Sequence, residues 1–216
     1  MSEALADYRD ATLGCTRCAL AATRTQVVFG SGDPNAELMF VGEAPGFHED
    51  QNGVPFVGQA GKLLETLLNG IGLSRTDVYI ANVLKCRPPG NRDPQPQEIE
   101  ACESHLFRQI ELIRPTLVAT LGNFATKLLS GKPAGITRVH GVPQQVSLGG
   151  NGVTLYPIYH PAAALYTRSM LAVLEEDFAR IPQLLGRQVA APPEPFVPEP
   201  AAVERLPEPA LQLGLF

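Results

Sequence analysis

The chain has four cysteines among its 216 residues. Cys15 and Cys18 form a C-x-x-C pair that can chelate one centre, and Cys86 and Cys102 follow much later. Four thiolates with none to spare suit a four-sulfur site, either zinc or an iron–sulfur cluster, and spacing does not choose between them. The competing reading makes Cys86 and Cys102 ordinary buried thiols. Three further polar residues are scattered: Glu43 in GEAPG, Asn82 in VYIANV, and His160 directly before Pro161. A carboxylate can orient water, an amide can read a donor–acceptor edge, and an imidazole can donate to developing negative charge. Taken singly, they are equally a loop carboxylate, a turn former and a satisfied histidine. The stretch QNGVPFVGQAGKLL (51–64) sets glycines around Phe56. It suits close backbone approach to a ligand with Phe56 as a stacking platform, or a core phenylalanine under a loop.

What positions these residues is an alternation of strand and helix. Four apolar runs read as strands: ELMFVG (37–42), VYIANV (78–83), TLVATL (116–121) and TLYPIY (154–159). Between and after them lie helical patterns: AGKLLETLLNGIG, PQPQEIEACESHLFRQIELIRP, NFATKLLSG with Asn123 as its expected N-cap, and SMLAVLEEDFARIPQLL as one final helix. The order predicts an α/β sandwich: a central parallel sheet with helices on both faces. Ligands of such sheets bind beyond the carboxyl ends of the strands. Glu43, Asn82 and His160 each stand at such an end, so one pocket is expected to gather all three.

Composition narrows the class. No apolar run approaches the ~18 residues of a membrane span, and MSEALADYRDATLGC lacks an apolar signal segment. The expected location is the cytoplasm, where thiols stay reduced and disulfides are not expected. Net charge is −5, of which −3 falls in the tail from Gln188 onward, where four glutamates face one arginine. Basic residues gather locally at Arg17 and Arg24, at Lys85, Arg87 and Arg92, and at Arg138 with His140. Such patches are compatible with phosphate contacts without demanding them.

Together the stretches CTRC (15–18), GEAPG (42–46), GVPFVGQAGKLL (53–64), NVLKCRPPGNRDP (82–94) and HPAAAL (160–165) resemble the family 4 uracil-DNA glycosylases, over about residues 10 to 187. The resemblance implies a three-layer α/β/α sandwich on a four-stranded parallel sheet, and a [4Fe–4S] cluster on Cys15, Cys18, Cys86 and Cys102. It also implies that Phe56 stacks on uracil, Asn82 reads the O4 and N3 edge, His160 partners O2, Glu43 lies near the catalytic water and Glu49 borders the C5 edge. Leu165 is expected to wedge into the vacated stack, with Arg168 and Arg87 contacting DNA. One relative bonds covalently to abasic DNA through a histidine in an inserted KRRIH-type loop beside GEQPG. This chain has GEAPG and, in GITRVHG (135–141), no such insertion, so turnover is expected. A non-catalytic iron–sulfur protein is the alternative class.

The tail holds seven prolines between Pro192 and Pro209, then ALQLGLF. QLGLF resembles the QL-x-LF peptide that docks on the bacterial sliding clamp, with Gln212, Leu213, Leu215 and Phe216 matching. Three parts are therefore expected: a catalytic domain over 1–187, a disordered tether over 188–209 and a docking peptide over 210–216. The expected partners are uracil-containing DNA and the clamp, with no membrane, and the expected unit is a monomer.

Overall fold

A computed structural model describes residues 3–187. The proline-rich tether and QLGLF lie outside the described residues. In chain order the helices are α1 (Glu3–Leu13), α2 (Phe47–Asn52), α3 (Gln59–Gly70), α4 (Pro96–Ile113), α5 (Asn123–Ser130), α6 (Ile136–Val139), α7 (Ala162–Tyr166), α8 (Ser169–Ala179) and α9 (Ile181–Leu184). The strands are β1 (Ser31–Gly32), β2 (Leu38–Gly42), β3 (Tyr79–Asn82), β4 (Leu117–Leu121), β5 (Gln144–Leu148) and β6 (Asn151–Ile158). No helix among the described residues is long and apolar enough to cross a membrane.

The sheet runs β1-β3-β2-β4-β6-β5. Its four inner strands are the four expected from the sequence, and every pairing among them is parallel. Their residues are nearly all buried because both faces are covered, as in other parallel sheets. Alternation then divides them. Met39 and Val41 face a cluster with Leu106, Ile110 and Leu129 of α4 and α5, whereas Leu38 and Phe40 face Leu64, Leu68 and Phe178 of α3 and α8. The Phe40 and Phe178 rings stack at 5.6 Å.

Two antiparallel edge strands extend this parallel core. β5 enters β6 through Gly149 and Gly150, both at positive φ, as a two-residue hairpin turn requires. Two local expectations change. Gly122 occupies the N-cap of α5, and Asn123 Oδ1 instead accepts from Ile136 N–H at 2.8 Å, at the start of α6. The final helix is broken into α8 and α9 just ahead of Pro182, which has no N–H to continue the ladder.

Candidate active site

A cleft of about 590 Å³ opens at the carboxyl ends of the inner strands, a size suited to a small ligand. Glu43, Glu49, Phe56, Asn82 and His160 all line it. The register of β2 on β3 sets Gly42 opposite Asn82. A side chain at Gly42 would put its Cβ 2.4 Å from Asn82 Oδ1 and 2.7 Å from Phe56 Cζ. Glycine is therefore what lets the amide and the ring share this corner. Asn82 is buried, and its Oδ1 is the one buried side-chain polar atom among the described residues without a hydrogen-bond partner. Native structures rarely leave such an acceptor orphaned, so it points to a missing donor.

His160 leaves β6 into Pro161, and its ring stacks against that of Phe56 at 5.5 Å. The Ala162 N–H donates to His160 Nδ1 at 3.1 Å. An accepting Nδ1 places the proton on Nε2 in the neutral ring. Burial pulls the His160 pKa down to about 4, against the opposing pull of the Glu49 carboxylate. At neutral pH the ring is thus an uncharged donor through Nε2. Glu43 behaves oppositely: burial, with some help from the Asp93 carboxylate, raises its pKa to about 7. Its proton is therefore exchangeable near neutrality.

Glu49 lies in α2, which is tied down by its neighbour. Asp50 is buried and accepts from the Thr25 N–H at 2.9 Å. Glu49 Oε1 accepts from the Val57 and Gly58 N–H groups, each at 2.9 Å, so it holds the Phe56 turn as well as lining the cleft. Leu165 and Arg168 are exposed beyond the rim, and Tyr166 between them is the one that lines the cleft, 90% exposed. Arg87 lies over the half-exposed Phe47 ring at 5.1 Å and donates to Asn91. Sequence reasoning passed over Phe47 and Tyr166; a large aromatic beside each site motif was the available signal.

All four cysteines line a second, smaller cavity with Arg24, Lys85 and His105. Cys15 and Cys18 follow α1, Cys86 follows β3 and Cys102 projects from α4. Three of the four sulfurs have a nitrogen partner: Arg24 Nη1 on Cys86 and His105 Nε2 at Cys15, both at 3.4 Å, and Lys85 N–H on Cys102 at 3.3 Å. Burial pushes the Cys86 thiol up to about 11 and raises Cys102 as well. Their thiolates would need a metal's charge beside them. No three His, Cys, Asp or Glu among the described residues close on a point as a single ion requires. Four thiols lining one cavity are a donor set that fits a group held by four sulfurs.

Lys85 corrects its sequence reading as part of a basic surface group. It is 1% exposed, and its Nζ donates to the Asn82 carbonyl at 2.8 Å and to Gln109 Oε1. Arg92, from the same group, forms a two-point pair with the buried Glu98 carboxylate at 2.9 and 2.6 Å. Lys85 is thus no surface cation, whereas Arg92 keeps its paired guanidinium on the lining of the cleft.

The family model of the uracil DNA glycosylase superfamily matches residues 29–182, and the chain belongs to that superfamily. Within it, the chain is similar to type-4 uracil-DNA glycosylases. It is 47% identical to that of Archaeoglobus fulgidus over 86% of this chain and 96% of the relative. Against Saccharolobus solfataricus the identity is 49% over 80% and 82%, and against Sulfurisphaera tokodaii 46% over 84% and 85%.

Proposed function

We propose that this chain is a monofunctional uracil-DNA glycosylase that hydrolyses the N-glycosidic bond of an extruded deoxyuridine and leaves an abasic site. The orphaned Asn82 Oδ1 carries this reading. Uracil N3–H is the donor it lacks, and the amide's N–H₂ pairs with O4. Cytosine presents an acceptor at N3 and a donor at N4, so it would leave the buried amide mismatched. A site built for such bonds discriminates by on the order of 10⁴. Extrusion costs a few kcal/mol, and stacking on Phe56 recovers part of it. Glu49 stands toward the C5 edge.

As the bond breaks, negative charge grows on uracil O2 and positive charge on the sugar. A neutral His160 donating through Nε2 stabilises the first without having to lose a proton. The Glu43 carboxylate orients water toward C1′ and stabilises the cationic sugar. Water supplies the hydroxyl that C1′ gains, and the departing uracil takes up the proton. His140, the nearest counterpart of the covalently trapping histidine, is held at 3.3 Å by Asp177 and against Tyr159, and does not line the cleft. This favours turnover. Alkali cleavage of a uracil-containing oligonucleotide after incubation with the protein tests the reading. Wild type is expected to cut, and Asn82→Ala with His160→Ala to lose at least about 10³-fold; undiminished cutting by the double variant sinks it.

Cys15, Cys18, Cys86 and Cys102 would hold a [4Fe–4S] cluster, which when bound supplies a cross-link between the N-terminal segment, the end of β3 and α4. The purified protein is then brown with iron and sulfide; a colourless zinc protein refutes the assignment. The QLGLF peptide is proposed to dock on the sliding clamp, with Leu165, Arg168 and Arg87 meeting DNA around the cleft and the domain over 1–187 acting as a monomer.

A further inference from the structure

We propose that Arg75 is a positioning residue for the Phe56 ring, holding the turn that aims it into the cleft. The inference rests on reading Phe56 as the stacking platform for the base. Phe56 has φ +54°, a left-handed conformation that a bulky side chain adopts only where its surroundings impose it. The constraint is visible on both sides of the turn. Arg75, half-buried in the loop between α3 and β3, donates through Nη1 to the Phe56 carbonyl at 2.8 Å and through Nη2 to the Pro55 carbonyl at 2.7 Å. From the opposite side, Glu49 Oε1 accepts from Val57 and Gly58 N–H.

The peptide between Phe56 and Val57 is therefore held at both ends, its carbonyl by a cation and its N–H by an anion. Such charge-assisted bonds are short and strong, and each polarises the peptide in the sense that strengthens the other. Helix α3 closes a third side. A Cβ on Gly61 would fall 1.8 Å from the Phe56 oxygen, so the helix packs directly on the strained peptide. The fork geometry of guanidinium is essential, since two successive carbonyls need two donors in fixed relation; an ammonium is a point charge. Released from Arg75, the turn loses the bonds that hold its carbonyls, and the ring loses its alignment over the base while Asn82 and His160 stay in place.

A double-mutant cycle tests this on the full chain: Arg75→Ala, Phe56→Ala and both together, with single-turnover excision rates, substrate affinity and thermal melting for each. Arg75→Ala is expected to lower the excision efficiency about tenfold to a hundredfold, as small misplacements do, and to have less than about a twofold further effect once Phe56 is alanine. A purely structural role moves the melting temperature equally in both backgrounds and lowers activity in both. Equal losses in the two backgrounds, or no loss in the first, overturn the proposal. If Phe56→Ala itself costs nothing, the stacking reading fails, and the positioning role fails with it. Arg75→Lys, which keeps the charge but not the fork, guards against misfolding of the alanine variant. It is expected to fall between wild type and Arg75→Ala, with faster amide exchange confined to residues 53–61. Unchanged exchange there also overturns the proposal.

Discussion

Glu43 and His160 follow the carboxyl ends of two different strands, β2 and β6, and burial drives their protons in opposite directions. It disfavours charge on each, so the acid keeps its proton to a higher pH and the base loses its proton at a lower one. If the ionised Glu43 is what serves hydrolysis, activity climbs from about pH 6 and levels off above about pH 8, half-maximal near the raised value of about 7. Glu43→Gln is expected to abolish this limb and to lower the plateau about 10²-fold, read as single-turnover rates between pH 5 and 9. Stability moves the other way. A folded pKa raised from 4.5 to about 7 means that the contribution of Glu43 is fully present below 4.5 and lost as pH rises through 7. Melting curves of Glu43→Gln and wild type should therefore diverge toward higher pH, with the variant more stable.

Strands β2 and β3 do more than terminate near each other. Their parallel register sets Gly42 beside Asn82, and only a residue without Cβ leaves room there for the amide and the Phe56 ring. Gly42→Ala is expected to displace both groups proposed to recognise the base and cut excision efficiency about 10²-fold, while the sheet still forms and far-ultraviolet circular dichroism is unchanged. Wild-type rates in that variant would show that neither contact matters. Beneath β3, Lys85 couples the two cavities: its backbone N–H meets Cys102 and its Nζ holds the Asn82 carbonyl. The cysteine lobe and Asn82 thus share one buried connection.

Across the whole molecule, the cleft and the proposed docking peptide occupy separate segments. The cleft and the cysteines lie within residues 3–187, and the proposed docking peptide lies in the tail. A chain truncated after Pro209 should therefore excise uracil from free oligonucleotides at the wild-type rate and fail to retain the sliding clamp in a pull-down; equal retention by both chains refutes docking. Docking as proposed would raise the local concentration of the enzyme on clamp-loaded DNA without any new contact to the cleft.

Much of the site was legible in the sequence because its logic is local and topological. Apolar runs alternating with helical patterns define a parallel sheet, whose geometry dictates where ligands go, so Glu43, Asn82 and His160 could be gathered from strand ends before any coordinates. CTRC with two later cysteines likewise pointed to the four thiols that line the second cavity. Period-2 burial patterns do not reveal antiparallel edge strands as short as β1, and no motif marks Arg75, whose partners are backbone carbonyls. Lys85 looked like one more surface cation. Its role depends on Gln109, 24 residues away, and on a carbonyl freed at the end of β3. Residue types and spacing determined which chemistry was possible. Only tertiary packing decided the protonation of Glu43 and His160, the orphaning of Asn82 Oδ1 and the clamping of Phe56. Desolvation and long-range hydrogen bonding exist only once distant segments have been brought together.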